Sequence, residues 1–532
     1  MEYRAILFDT RSIQRYIYSG NRLKTNIGAS YLVKHVFTDI VIPKLEEKLG
    51  EGSVDVDSWG KEPDMDFLAV PGHCAVVYCG GGKLLLVVSF EENGVEECRM
   101  LIRDISTELL VACPGLHIGA AFTAVHPNQP DEFQKEIDSV YSLSKQMQNR
   151  VLPAVNVPYP GLTMNCAVSG ETASYYDAGR EVQTDGEARF YSQEIYVKAK
   201  YAEKANAELK KQFADIIGDY RFPFQFDELG QRATENYIAV VHIDGNNMGT
   251  KFRNCKSQTE YRRMSEDINT KTVGCFGKLL EKIVNEYESY QDFLTLKDNI
   301  LPIRPLILGG DDVTFICPAK LAVRFAKYFM ELMADSASVP GIKSEAAKVI
   351  DSCGGIGIFK TSYPFFRGYQ LSEQLCDAAK VRMRSEEAAE GSSWLDFAIL
   401  HGEQAPTLEQ IRAQEYAGAR GSMHFGPYQV GHSDGKLPKS HRFDIENLLD
   451  CVAQFHSGKC MAKNKIKEMR SVLQHGEFEA VSFADQLRHQ NQHVPKVKNW
   501  EVYEQEENSY WSGGRTPYVD AIEMMDFIPK GE

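Results

Sequence analysis

Three aspartates carry the chemistry open to this chain. Asp244 ends the apolar run Ile238-Ala239-Val240-Val241-His242-Ile243. Asp311 and Asp312 close the tetrapeptide Gly309-Gly310-Asp311-Asp312, which lies between the apolar runs Pro305–Leu308 and Val313–Cys317. If the two runs are neighbouring strands, the three carboxylates meet at one end of a sheet. Two unit charges about 4 Å apart repel by about 4 kcal/mol at an effective dielectric near 20, so such a cluster needs a proton or a cation. Hard oxygen ligands favour Mg²⁺ or Mn²⁺, with substrate phosphates completing the coordination. Two such ions activate an attacking hydroxyl and stabilise a leaving pyrophosphate. The expected catalytic set is Asp244, Asp311 and Asp312, and Ile243 joins them in the metal-binding set. Taken singly, each motif has a plainer reading. Gly-Gly-Asp-Asp is ordinary turn chemistry, and Asp244 could cap the next helix. Their joint occurrence in matching places of a repeat favours the metal site.

Other residues fit a nucleotide around that centre. The loop Gly245-Asn246-Asn247-Met248-Gly249 follows Asp244 and precedes a helix, so its backbone N–H groups could cradle a triphosphate. Lys380, near Arg382 and Arg384, could neutralise phosphates; a solvated basic helix end is the competing reading. Gly309 and Gly310 complete the expected nucleotide contacts of this half. Gly28-Ala29-Ser30 offers a close backbone approach and a hydroxyl at Ser30, or simply a helix start. The Gly80-Gly81-Gly82 tip is the last expected nucleotide contact.

These residues must be positioned by strands, and an internal repeat supplies them. The first copy opens with Ala5-Ile6-Leu7-Phe8-Asp9 and the second with Ile238–Asp244. Each is followed by a polar loop and a helix. Tyr31, Val33, Phe37, Ile40, Ile42 and Leu45 mark one apolar helix face; Met264, Ile268, Val273, Phe276, Leu279, Leu280 and Ile283 mark the other. A Gly-tipped hairpin comes next, over 75–88 and 305–317. Helices are expected at about 95–112 and 319–336, strands at 116–122 and 355–359, and closing helices near 131–149 and 369–384. The order β-α-β-β-α-β-α is ferredoxin-like and places the chain in the α+β class. Fused twins of this kind would pack as a pseudo-dimer around one cleft. At the first hairpin tip Gly82 and Lys83 stand where Asp311 and Asp312 stand, so only Asp9 survives there. One copy is expected to be catalytic and the other a partner wall.

The expected domains are 1–150, a degenerate first copy; 151–230, a linker and helical insert; 231–400, the second copy; and 401–532, mainly helical. The linker opens with a loop containing Pro153, Pro158, Pro160 and Gly161 and turns helical around 190–216. Ile445-Leu448-Leu449-Val452-Phe455 and Ile466-Met469-Val472-Leu473 are core stripes of a small bundle. The stretch 416–442, with Gly418, Gly421, Gly426, Gly431 and Gly435, reads as a loop or arm.

Composition narrows the partners. The 532 residues exceed what one core usually serves. Lys+Arg number 59 against 74 Asp+Glu, a net charge of −15, which disfavours polyelectrolyte binding over the whole surface. No apolar run reaches the roughly 20 residues that span a bilayer, and no signal peptide is evident, so a cytoplasmic protein with no membrane partner is expected. The 12 cysteines form no C-x-x-C pair and read as small reduced core residues. Homo-oligomerisation is left open.

The run Ser12-Ile13-Gln14-Arg15-Tyr16-Ile17, then Gly28-Ala29-Ser30, His242-Ile243-Asp244-Gly245-Asn246-Asn247-Met248-Gly249 and Gly309-Gly310-Asp311-Asp312, resembles the large palm-domain subunit of type III CRISPR effector complexes. The resemblance implies two palm domains, nucleotide-cyclase-like in fold, that bind ATP at their interface. It implies that the second palm polymerises ATP into cyclic oligoadenylate messengers of antiviral defence, with the metals held by Asp244, Asp311 and Asp312. It also implies RNA or CRISPR-type protein subunits as activating partners. The palm is similar to those of diguanylate and class III nucleotide cyclases as well, so a mononucleotide or dinucleotide cyclase is one alternative, and a non-catalytic nucleotide-binding scaffold is another. Two family features are missing. The chain starts at the first palm and has no His-Asp dipeptide, so no DNase activity is expected. Asn165-Cys166-Ala167-Val168-Ser169-Gly170 keeps one cysteine of a paired element, so no zinc is expected.

Overall fold

A computed structural model describes residues 1–57, 65–148, 161, 163–182, 186–230, 236–255, 258–297, 299–385, 392–402, 406–418, 420–431, 441–505 and 510–530. The proline-containing stretch 151–160 and Gly435 lie outside the described residues. The chain divides into two compact units, residues 1–214 with 247–270 and residues 215–246 with 271–532.

The first unit is built on a five-stranded sheet. Its strands are β1 (Glu2–Arg11), β2 (Val54–Asp55), β3 (Cys74–Gly80), β4 (Lys83–Phe90) and β5 (His117–Ala124), in the order β2-β3-β4-β1-β5. Without the short β2, that is the ferredoxin-like order expected from the repeat. Leu84 to Val88 are all buried, because both faces of β4 are covered. The helices Gly94–Ala112 and Pro130–Gln148 fall where apolar periodicity predicts them. The long first helix is interrupted: Leu23–Val36 passes through a π turn, Phe37–Val41, into Ile42–Leu49. Pro43 lacks the N–H that would continue the α ladder at that point. A small hairpin, β6 (Tyr175–Asp177) with β7 (Arg189–Tyr191), leads into the helix Gln193–Gln212.

The second unit holds a six-stranded sheet of β8 (Tyr237–Gly245), β9 (Arg304–Gly309), β10 (Asp312–Pro318), β11 (Ser352–Lys360), β12 (Ser393–Ile399) and, after the tiny hairpin β13–β14 (Ala417–Gly418 and Gly421–Ser422), β15 (Tyr428–Val430). The order is β15-β12-β11-β8-β10-β9. Its β11-β8-β10-β9 part repeats the pattern of the first sheet. The extension has a sequence cause: β12 runs parallel to β11 and is buried along its whole length, so it needs a neighbour, which β15 supplies from the segment read as a loop. The helix Phe365–Met383 rests on β11 at close range. A Cβ on Gly355 would stand 2.1 Å from the Ser372 carbonyl oxygen, so only glycine admits the helix there.

The C-terminal part is mainly helical, with helices Ile445–Ser457, Lys463–His475, Glu477–His489 and Tyr518–Met524. Both apolar stripes named above face its core: Ile445, Leu448, Val452, Phe455, Ile466, Met469 and Leu473 are buried. A buried ionic knot ties this part to the sheet. His424 Nδ1 lies 3.0 Å from Asp520 Oδ1 on the last helix, and its Nε2 lies 3.0 Å from Asp396 Oδ1 on β12 as an ion pair without hydrogen-bond alignment. Arg412 Nη2 donates to both Asp396 oxygens at 3.0 and 3.2 Å. Asp520 Oδ2 accepts from the Phe425 and Gly426 N–H groups and from Tyr428 OH. The twelve cysteines are free thiols, buried except for Cys79 and Cys255. Among the described residues no helix is long and apolar enough to cross a membrane.

Candidate active site

The ladder between β8 and β10 sets the site. Asp244 pairs directly with Asp312, and His242 with Thr314. Side chains alternate along a strand, so these four share one face of the sheet. Gly309 pairs with Asp312 on the other side, leaving Gly310 (φ 61°) and Asp311 as a two-residue tip. Glycine is suited to that left-handed backbone. Two bonds pin the tip: the Gly245 N–H donates to the Asp311 carbonyl at 3.2 Å, and Thr272 Oγ1 donates to the Gly310 carbonyl at 2.6 Å. Asp244, Asp311 and Asp312 thus converge at one sheet end. Ile243 lies one residue back, between Val313 and Gly354, with its side chain buried.

The helix Phe365–Met383 lays a polar stripe over the same face. Tyr369 meets the His242 ring edge-on, centroids 5.8 Å apart. Lys380 Nζ lies 2.5 Å from Asp244 Oδ2 and 3.7 Å from Asp377 Oδ1. Asp312 Oδ1 is 3.4 Å from His242 Nδ1, which also lies 3.0 Å from Thr314 Oγ1.

Electrostatics follow from burial and from crowding of like charge. Burial, then the charge of Asp244, pushes Asp312 up to about 7 against the pull of Lys380. Burial and Asp244 likewise raise Asp311. Glu373 is raised by burial and by Asp377. His242 is pulled down by burial, although Asp244 and Glu373 oppose this. Burial works against the Lys380 ammonium, yet its bond to Asp244 outweighs that and raises it. The site therefore holds more negative charge than its one ammonium answers.

The donor set fits a hard divalent cation. It consists of carboxylate oxygens, and buried Oδ1 atoms of Asp312 and Asn246 accept no hydrogen bond from a described residue. With Asp244 turned to Lys380, no three His, Cys, Asp or Glu side chains among the described residues form a ready metal-binding group. Binding an ion at Asp244 therefore requires Lys380 to shift toward another anion.

The remaining expected contacts are placed as follows. The Asn246 N–H donates to the Asp351 carbonyl at 2.8 Å, and its amide nitrogen donates to the Ser392 carbonyl at 3.4 Å. Asn247 (φ 59°) caps the short helix Met248–Arg253; Met248 is buried, and the space around the Gly249 Cα is open. Gly81 and Gly82 form the β3–β4 turn after Gly80, with φ of 56° and 73°. Ser30 is half-buried on the helix Leu23–Val36. On the same helix, Gly28 faces the helix Gln193–Gln212. A Cβ there would stand 1.7 Å from the Lys198 carbonyl oxygen. This glycine serves helix packing, and its Cα face leaves no room for a ligand. Gly28→Ala is expected to cost the first unit about 1–3 kcal/mol or more, read as a lowered thermal midpoint. An unchanged midpoint would contradict the packing role.

His242, Glu373 and Asp377 were not singled out from the sequence. His242 was findable, since it lies two residues before Asp244 and hence on the same strand face. Lys83 pairs with Asp9 as Asp312 pairs with Asp244, and its Nζ lies 3.7 Å from Asp9 Oδ1.

Residues 237–388 match the family model of the Cas10/Cmr2 second palm domain. No curated protein matches the chain. Among solved structures, the chain is similar to a Csm1-Csm4 cassette in complex with pppApApA (14% identity, TM-score 0.54, covering 99% of this chain and 69% of that one). It is also similar to the cassette in complex with one ATP (13%, TM-score 0.51, 99% and 70%) and to the apo cassette (14%, TM-score 0.50, 99% and 70%). The resemblance to the large palm subunit of type III complexes is thereby borne out, and so is the α+β fold of two palm sheets with a helical region.

Proposed function

We propose that the protein is a metal-dependent nucleotidyltransferase that converts ATP into a cyclic nucleotide or oligonucleotide signal. The observation that carries this reading is the facing of Asp244 and Asp312 across β8 and β10, with Asp311 on the adjoining tip. The similarity to proteins crystallised with ATP and with pppApApA supports ATP as the substrate. In the reaction, a 3′-hydroxyl oxygen attacks the α-phosphorus of a second nucleotide, the α–β anhydride bond breaks, pyrophosphate leaves and the hydroxyl proton passes to water. Asp244, Asp311 and Asp312 would hold two Mg²⁺ or Mn²⁺ ions, which supply charge stabilisation of the attacking and leaving oxygens. Lys380 exchanges its Asp244 partner for the triphosphate. Asp377, 3.7 Å away, helps to keep the Lys380 ammonium charged. RNA or CRISPR-type protein subunits are the proposed activators.

The test is incubation with labelled NTPs and Mg²⁺ or Mn²⁺, with and without candidate RNA and partner subunits, followed by product mass. Cyclic adenylate products are expected, and their mass separates an oligonucleotide from a cyclic mononucleotide or dinucleotide. Lys380→Ala is expected to lower kcat/KM by about 10–100-fold, mostly through KM. No product under any of these conditions would sink the reading. The Lys380–Asp244 ion pair favours one second reading, a scaffold that binds nucleotide without turnover. Binding with no product would be its signature.

A further inference from the structure

A cavity of about 680 Å³ opens in the second unit where the palm sheet meets the C-terminal helices. Its volume falls in the range of about 300–1,000 Å³ typical of small-molecule sites. Tyr237, which starts β8, and Pro318, which ends β10, both line it. Asp244 lies seven residues along β8 from Tyr237, roughly 23 Å at about 3.3 Å per residue, so the cavity is at the far end of the sheet from the carboxylates.

The lining combines aromatic rings with cations. Tyr237 and Phe527 stand edge to face, centroids 5.3 Å apart, and Phe293 adds a third ring. Lys320, Lys467 and Arg470 supply positive charge. Of the two carboxylates present, Glu523 is already answered: its Oε1 accepts from Arg470 Nε at 2.6 Å, and its Oε2 accepts from Tyr416 OH at 2.9 Å and lies 3.5 Å from His401 Nε2. Burial opposes its ionisation, but bonds from His401, Arg470 and Tyr416 hold it down at about 2. Asp526 is exposed, as is Lys467. The lining thus sets three cations and two carboxylates beside aromatic rings that stand at an angle to one another.

We propose that this cavity is a second ligand site, one that takes a mononucleotide: a base against Tyr237, Phe293 and Phe527, and a phosphate near Lys320 and Lys467. Both halves of such a ligand find complementary chemistry here. Base–aromatic stacking tolerates any base, since every base has a π face. The inference is independent of turnover at the carboxylates.

The experiment uses the full chain in EDTA, which removes metal-dependent binding at the sheet end. AMP binding is measured by calorimetry, and 8-azido-AMP is photocrosslinked and mapped by peptide mass. Crosslinks are expected on peptides containing Phe293, Lys320 or Phe527. Lys467→Glu and Phe527→Ala should each weaken AMP about tenfold, with thermal midpoints confirming the fold. Adenosine and inorganic phosphate should each bind at least tenfold more weakly than AMP. Crosslinks confined to residues 244–249, or undiminished affinity in folded Lys467→Glu and Phe527→Ala proteins, would overturn the proposal. Failure here leaves the nucleotidyltransferase reading untouched, since that reading is tested with metal and by products.

Discussion

Asparagine at both Asp311 and Asp312 is expected to abolish turnover and, at the same time, to make the metal-free protein more stable. The two effects share one cause. Burial and the neighbouring Asp244 charge leave the pair short of counterions, with Asp312 pushed up to about 7. Asparagine keeps the shape and removes the repulsion. The gain is on the order of 1–3 kcal/mol, less than a dry site would give, because the Asp312 side chain retains 33% exposure. Product formation should fall by at least about 10³-fold, the scale on which lost transition-state charge stabilisation is felt. Mn²⁺ should raise the thermal midpoint of the parent protein and leave that of the variant unmoved. A variant that melts lower than the parent in EDTA, or that keeps forming product, would refute this account.

His424→Ala is expected to lower the melting temperature by on the order of 10 °C. The side chain is buried between Asp396 and Asp520, and its loss leaves Asp396 to Arg412 and leaves the buried Asp520 to its neutral hydrogen-bond donors. Breaking a buried ionic group in this way costs about 3–5 kcal/mol. The pH dependence has a definite sign. Burial and Arg412 pull His424 down, but Asp520 and Asp396 outweigh them, so it is raised. Its stabilisation is therefore complete below the ordinary histidine value of about 6.5 and is lost as pH rises through the higher folded value. Asp396 resists burial through Arg412 and His424 and is lowered. Its contribution is present above about 4 and is lost on acidification through the lower folded value. Thermal midpoints across pH should show an alkaline decline in the parent that His424→Ala lacks. Equal midpoints for the two proteins would show that the knot carries no stability.

The site was legible where local pattern and topology agree. Apolar runs of strand length, a Gly-tipped hairpin and a repeated element order specify a β11-β8-β10-β9 sheet, and that order alone brings Asp244 beside the 309–312 turn. The pairing of Lys83 with Asp9 in the first copy was legible for the same reason, since register follows the hairpin. What escaped depends on packing between distant segments. Lys380 read as a phosphate ligand, yet in the free protein it is bound to Asp244, because nothing in a helix's own residues states which strand it will cover. Gly28 read as a ligand contact because its neighbour across the packing, Lys198, is 170 positions away. Tyr428–Val430 is a strand only because β12 needs an edge partner; its own glycine-rich surroundings suggest a loop.

The pairing of Lys83 with Asp9 has a consequence for how the two halves answer chelation. The first sheet carries its counter-cation as a covalent part of the chain, so withdrawing divalent ions changes nothing in it. At the second sheet Lys380 lies beside Asp244 and Asp377, and under the proposed reaction divalent ions from solution supply the remaining positive charge. Under the proposed reaction the first sheet should be indifferent to divalent ions, and only the second should register the metal content of its surroundings.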